Sequence, residues 1–124
     1  MDNEQWTMKK ENALKEKSYS FALEVVKICK SLQQQHEYIL SKQLLRSGTA
    51  IGAIVEEANQ AESKADFIHK LSIANKEANE TQYWIRLMMD SEVIKREPGK
   101  DLLESCTELI RILTASIKTS KLNR

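Results

Sequence analysis

Carboxylates near the middle of the chain are the side chains best suited to chemistry. Glu56 and Glu57 fall on one predicted helix, and Glu77 and Glu80 fall on the next. Glu57 and Glu80 each flank a small residue of an apolar seam, so they are expected to be partly buried and to need cationic partners. Arg46 is a candidate partner, but it lies 11 residues before Glu57, about 16 Å along a helix axis. Only a neighbouring helix or a second subunit can therefore supply that contact; solvated charges at the helix edge are the alternative.

Metal binding and covalent catalysis find little support in the residue pattern. A di-iron bundle needs two Glu-x-x-His pairs, whereas this chain offers only Asp66-x-x-His69 as one imperfect pair. Cys29 and Cys106 fall in apolar stripes with no histidine nearby, which predicts buried free thiols, a single disulfide being the alternative. We therefore expect no cofactor, no metal, no small-molecule substrate and no enzyme activity. An enzyme with a carboxylate site between subunits is kept as an alternative.

Basic residues are concentrated towards the two ends of the chain. The formal net charge is only +1, yet residues 111–124 carry four bases and no acid. In an antiparallel four-helix layout both termini lie at the same end, so these bases would join lysines of the first helix in a patch that suits phosphates. A solvated polar face is the alternative. The candidate nucleic-acid-binding residues are Lys9, Lys10, Arg111, Lys118, Lys121 and Arg124.

The elements that must position these groups are long helices. The 124 residues are 41% hydrophobic and 30% charged, with only three Gly and one Pro. So few turn formers exclude a sandwich or barrel of many short strands, while apolar residues recur at helical intervals of three and four. The pattern predicts an all-α fold, an antiparallel up-down-up-down four-helix bundle in a single domain over 1–124. Its helices are expected at about 7–34, 38–61, 63–91 and 98–119.

Each predicted helix carries an apolar seam. Gly48 and Gly52 lie one turn apart in the second helix, and because glycine costs about 1 kcal/mol inside a helix, they predict the close approach of another backbone. Ser63 and Asp66 fit a capping pattern at the start of the third helix. The seams are Leu14, Phe21, Val25, Ile28 and Leu32; Leu40, Leu44, Ser47, Ile51, Ile54, Ala58 and Ala61; Phe67, Leu71, Ala74, Ala78, Thr81, Ile85 and Met88; Leu103, Cys106, Ile110, Leu113 and Ile117.

The third helix carries more apolar residues than its seam can bury. A monomeric bundle would expose part of this second set, so the set predicts the interface of a homo-oligomer. A polar N-terminal stretch and the lack of a run approaching ~18 apolar residues predict a cytoplasmic protein without a membrane span. The candidate interface residues are Ile68, Ile73, Tyr83, Trp84 and Leu87.

Two segments carry a resemblance to a known family. Residues 43–58 read QLLRSGTAIGAIVEEA and residues 63–74 read SKADFIHKLSIA. They resemble the bacterial four-helix-bundle proteins encoded in intervening sequences of 23S ribosomal RNA genes, a family that looks related to the accessory variability protein of diversity-generating retroelements. The chain departs from the family at Ile54, where Asn is frequent, and at Ala58, where Gly is frequent. The matching positions are Arg46, Ile51, Glu57, Ser63, Phe67, Ala74 and Glu80.

The resemblance implies an up-down bundle that assembles as a ring-shaped homopentamer. The retroelement relative looks like a partner of reverse transcriptase and RNA, although it is much more basic than this chain. Residues and resemblance together predict a non-enzymatic oligomeric adaptor or scaffold, with RNA or an RNA-processing protein as its partner. The alternative is a purely protein-binding homo-oligomer without nucleic-acid contact.

Overall fold

The computed structural model of the chain describes the backbone of residues 3–123 and the side chains of residues 12–123. Its elements are α1 (Asn3–Gln34), α2 (Ile39–Ala58), α3 (Lys64–Asp90) and α4 (Arg96–Leu122), with no strand among the described residues. Each helix packs against the next one along the chain, and α4 returns to pack against α1. The predicted all-α four-helix bundle is therefore confirmed.

The helix bounds differ from the sequence prediction by a few residues. Helix α2 ends at Ala58 because residues 59–61 continue as a hydrogen-bonded turn rather than as helix. Helix α4 begins at Arg96, before Pro98, since a proline in the first turn lacks only an N–H that would be unpaired there anyway. The predicted cap of α3 is confirmed: the Ser63 side chain accepts a hydrogen bond from the Asp66 N–H at 3.1 Å.

Two connections between helices turn without glycine. His36, after α1, and Glu92, after α3, both adopt positive φ, at 64° and 62°. The following N–H then reaches back to a carbonyl five residues earlier, from Glu37 to Leu32 and from Val93 to Met88. This pattern is the Schellman closure that glycine usually provides, and it explains how the bundle forms with so few glycines.

The core follows the predicted seams closely in α3 and less closely in α4. In α3 every seam residue except the half-buried Phe67 is buried. In α4 the seam is shifted by one residue: Leu102 and Leu109 are buried, while Leu103 and Ile110 are only half-buried. The row with Leu102 and Leu109 and the row with Leu103 and Ile110 are both apolar, and both include Cys106 and Leu113. The helical period alone therefore does not predict which row is buried.

The two glycines of α2 meet different neighbours on α1. A Cβ built on Gly52 would lie 3.2 Å from the Ser18 carbonyl oxygen, which is the close backbone approach that the sequence predicts. A Cβ on Gly48 would lie 2.9 Å from a methyl of Val25 instead. The prediction of a close backbone is therefore wrong for Gly48, where a side chain of the neighbouring helix fills the space.

Candidate functional site

A cluster of charged and aromatic side chains joins α2 to α3 on the outer surface. Arg46 projects from α2 and donates through Nη1 to Glu77 Oε1 at 3.2 Å, while its Nη2 contacts Glu80 Oε2. Trp84, one turn after Glu80 on α3, donates its indole N–H to the same Oε2 atom at 2.9 Å. We call Arg46, Glu77, Glu80 and Trp84 the arginine cluster.

The cluster stabilises the ionised form of Glu80. The Trp84 N–H and then the Arg46 guanidinium, both donating to its carboxylate, hold the pKa of Glu80 below its ordinary value. The hydrogen bonds that the Arg46 guanidinium donates to Glu80 and Glu77 likewise raise the pKa of Arg46. Two carboxylates share one guanidinium, so one negative charge within the cluster is left unmatched.

A buried polar contact lies beneath the arginine cluster. The Thr81 and Ser47 hydroxyl oxygens are 2.9 Å apart, and Thr81 Oγ1 also lies 2.7 Å from the Glu77 carbonyl oxygen. Thr81 has a single hydroxyl proton. When Thr81 donates it to that carbonyl, Ser47 donates to Thr81 in turn, and the pair then fixes the register of α2 against α3.

The sequence candidates Arg46, Glu57 and Glu80 do not form one site. Arg46 and Glu80 meet across the α2–α3 seam, as the sequence anticipated for a neighbouring helix. Glu57 instead faces Lys70 Nζ at 3.4 Å, further along the same seam. Each carboxylate is thus held by a cation of the adjacent helix, which suits a structural role better than acid–base catalysis.

The remaining groups with chemical potential are buried or scattered. Cys29 and Cys106 are free thiols that donate to the carbonyls of Ser41 and Ala78, and burial raises their pKa values to about 11 and about 12. Protonated thiols of this kind are poor nucleophiles. Among the described side chains, no three of the His, Cys, Asp and Glu type come together as metal ligands.

Apolar side chains surround the arginine cluster on the outer face of α3. Tyr83 is 52% exposed and Leu87 37% exposed, while Trp84 and Ile73 are half-buried. The Tyr83 and Trp84 rings form an edge-to-face pair with centroids 5.2 Å apart. We call Ile73, Tyr83, Trp84 and Leu87 the α3 patch.

The predicted interface set needs one correction and one addition. Ile68 is 8% exposed and packs inside its own protomer, so its assignment to an interface is wrong. Ile39 is 79% exposed and, two turns before Arg46, lies on the side of α2 that faces α3. Sequence reasoning missed it because it is the first residue of α2 and precedes the seam. A hydrophobic residue at a helix start is the only signal that indicates it.

The predicted nucleic-acid-binding residues are only partly described. Arg111, Lys118 and Lys121 are exposed on α4. The side chains of Lys9 and Lys10, and all of Arg124, lie outside the described residues. The contact of Lys64 Nζ with the Asn123 carbonyl oxygen brings the start of α3 to the end of α4, which adds a base at that end of the bundle.

A groove opens between α1 and α4 at the opposite end of the bundle. Its walls come from the last turns of α1 and the first turns of α4, and the α3–α4 connection closes one end. Ile28, Met89 and Leu102 contribute apolar surface, and the lining also contains both acidic and basic residues. Within residues 3–123 no helix is long and apolar enough to cross a membrane.

The fold defines a small four-helix bundle, in which the arginine cluster joins α2 to α3. The sequence model of one family, described as 23S rRNA-intervening sequence protein, matches residues 10–115. The chain belongs to this family, as its resemblance predicts. No curated protein matches the chain. The relation to the retroelement accessory protein stays a prediction.

A solved structure supports the same assignment. It is the crystal structure of a protein of unknown function from the S23 ribosomal protein family of Bacteroides thetaiotaomicron, 49% identical to this chain. The match covers 88% of this chain and 98% of that one, with a TM-score of 0.85. The family is thus established for this chain. The family name refers to an intervening sequence of 23S rRNA and does not describe an activity.

Proposed function

We propose that the chain is a non-enzymatic, homo-oligomeric helical scaffold whose copies meet through the α3 patch. The observation that carries this proposal is the exposure of Tyr83 and Leu87 beside Trp84 on one side of α3. Contiguous apolar surface of this kind is a common sign of a protein–protein contact. Arg46 neutralises one of the two carboxylate charges at the centre of the patch, which lowers the cost of removing them from water.

The size of the particle in solution tests this proposal. Light scattering at high protein concentration is expected to give a multiple of the 14.3 kDa chain mass, and the family resemblance favours five copies. Leu87→Glu places a charge within the patch and is expected to reduce the mass. Thr114→Glu, at an exposed position of α4, is the matched control and is expected to leave it unchanged. A monodisperse single chain at high concentration would overturn the scaffold proposal.

We propose RNA as a second partner, because one observation favours it. Arg111, Lys118 and Lys121 are exposed on α4, and no acid follows Glu108 in this helix. Unopposed cations along a helix suit a phosphate backbone, with an affinity that falls steeply as salt rises.

A charge-reversal pair tests the RNA contact. The double variant Lys118→Glu/Lys121→Glu is expected to lose binding to a fluorescent RNA hairpin at about 50 mM salt. Lys100→Glu, at a lysine that is also exposed but lies near the other end of α4, is expected to retain binding. Failure of the wild-type chain to bind the hairpin at this salt would leave the purely protein-binding scaffold as the function.

A further inference from the structure

We infer that the groove between α1 and α4 is a docking site for one amphipathic helix of a partner protein. This partner is neither RNA nor a second copy, and the inference goes beyond the proposed scaffold without depending on it. The helices contact one another in cyclic order, so the α1–α4 seam lies opposite the α2–α3 seam and its arginine cluster. The groove shares no residue with the α3 patch.

The size of the groove suits a helix better than a small molecule. Its volume is about 1450 Å³, which exceeds the range of about 300–1,000 Å³ that is usual for small-molecule pockets. The α1 wall runs from Glu24 to Gln35, a distance of about 16 Å or three helical turns. A partner helix of three to four turns therefore fits along this wall beside α4.

The floor of the groove is apolar. Ile28, Met89 and Val93 are half-buried in the lining, and the buried Leu32 and Leu102 also line it. A partner helix covers a floor of this kind with apolar residues three and four positions apart. Met89 helps such a floor to adapt to its partner, because the methionine side chain is unbranched and flexible.

Two carboxylates face each other at the inner end of the groove. Lys17 of α1 meets Glu108 of α4 across the seam. Seven residues further along α1 and seven residues back along α4, Glu24 and Asp101 therefore lie at one level of these antiparallel helices. Both residues line the groove. This end of the groove has two acids and no base, so it suits a cationic group of the partner.

The other end of the groove, towards the α3–α4 connection, carries the opposite excess. Its lining has three bases against two acids, an excess of one positive charge. None of these residues, nor either carboxylate of the inner end, makes an ion pair with a described residue of the chain. Their charges are available to a partner. The charged residues of this end are Lys27, Lys95, Arg96, Asp90 and Glu92.

The charge difference between the ends sets the direction of the docked helix. A helix is stabilised by acidic residues in its first turn and basic residues in its last turn, because they oppose its own dipole. Such a helix matches the groove when its basic last turn lies between Glu24 and Asp101 and its acidic first turn lies near Lys95 and Arg96. The docked helix therefore runs parallel to α4 and antiparallel to α1.

Two synthetic peptides test the docking site. Each is a fluorescent helical peptide of about 14 residues with leucines three and four positions apart. The matched peptide carries glutamates in its first turn and lysines in its last turn, and the reversed peptide exchanges them. Fluorescence anisotropy at about 50 mM salt is expected to show saturable binding of the matched peptide to the wild-type chain. The reversed peptide is expected to bind about five- to tenfold more weakly.

Variants of exposed groove residues locate the binding. Ser31 is exposed and lines the groove, so Ser31→Trp fills the groove and is expected to weaken binding of the matched peptide about tenfold or more. Gln33→Trp, at an exposed residue outside the lining, is the matched control and is expected to bind as the wild-type chain does. The double variant Glu24→Lys/Asp101→Lys is expected to prefer the reversed peptide. Circular dichroism checks that each variant keeps its helices.

The outcomes separate this inference from the scaffold proposal. The docking site is overturned if the wild-type chain shows no saturable binding, or if Ser31→Trp binds the matched peptide equally well. Equal binding of the two peptides, or an unchanged preference in the double variant, overturns the charge match and with it the stated partner. Leu87→Glu is expected to bind the matched peptide normally, and a loss there would assign the peptide to the α3 patch instead. The scaffold proposal depends on the mass of the particle and is unaffected by these results.

Discussion

The α2–α3 seam and the α1–α4 seam are two ways of joining the same kind of helix. At the α2–α3 seam the small residues Ala74 and Ala78 are fully buried, and the Ser47–Thr81 contact is sealed beneath the arginine cluster. At the α1–α4 seam a groove separates the helices over several turns, and the cross-seam ion pair is about half exposed. One seam is closed and specified by polar contacts, while the other is open.

The difference indicates where this bundle needs a fixed geometry. The α3 patch can present a defined surface only if α3 is held in one register against α2, and hydroxyl and guanidinium contacts set such a register more sharply than apolar contacts do. The α1–α4 seam carries neither the α3 patch nor the arginine cluster. Its own contacts have only to close the bundle, and looser packing is sufficient there.

Truncating one isoleucine of α3 and one isoleucine at the groove is expected to give the largest contrast in stability. Ile85 of α3 is fully buried, and Ile85→Ala is expected to lower the free energy of unfolding by about 3 kcal/mol through the cavity it leaves. Ile28 of α1 is half-buried at the groove, and Ile28→Ala is expected to cost about 1 kcal/mol. Urea unfolding at one fixed protein concentration measures both. Equal losses would show that the two seams are packed alike.

Removing the buried hydroxyl of Thr81 is expected to have an intermediate effect. Thr81→Val keeps the side-chain shape but leaves the Ser47 hydroxyl buried without its partner, at a cost of about 1–2 kcal/mol. The double variant Ser47→Ala/Thr81→Val is expected to lose less than the sum of the single variants. A double-mutant cycle from urea unfolding gives the coupling. Additive losses would mean that the hydroxyls do not set the register of the closed seam.

The closed seam was the more predictable of the two from the sequence. The strict four-three spacing of α3 marks one continuous seam, and every residue of that seam after Phe67 is buried. The sequence also indicated that Arg46 needs a neighbouring helix and offered Glu57 and Glu80 as its partners, although it neither excluded Glu57 nor identified Glu77. That pairing depends on how far α2 is shifted along its axis relative to α3. Small side chains and hydroxyl contacts set this shift, and the hydrophobic period does not encode it.

The buried row of α4, the turn after α1 and the exposed residues of α1 could not be predicted from the hydrophobic period. In α4 the rows of Leu102 and Leu103 are both apolar, and only packing against α1 and α3 selects the first. The turn at His36 needs a positive φ, which the histidine residue type does not predict. Tyr19 and Leu23 are four residues apart, as residues of a seam would be, and only the folded bundle shows that both are exposed.

Glu80, at the outer edge of the α2–α3 seam, is expected to make the stability of the chain depend on pH. The pKa of Glu80 is lowered in the folded chain, so its contribution to stability is complete above the ordinary value of 4.5 and is lost as the pH falls below it. Glu80→Gln is therefore expected to be less stable than the wild-type chain at pH 7, with a gap that narrows in acid. Urea midpoints from pH 7 down to pH 3 measure the gap, and a constant gap would contradict the pKa shift.

The ion pair of the open seam is expected to contribute least. Lys17 and Glu108 are each about half exposed, so water and salt screen their attraction, and ordering two flexible side chains offsets most of the gain. A double-mutant cycle with Lys17→Met and Glu108→Gln is expected to give a coupling below about 0.5 kcal/mol. The coupling should disappear at about 1 M salt. A larger coupling that persists in salt would mean that a defined polar contact also holds α1 against α4, and the distinction between a specified seam and an open one would then fail.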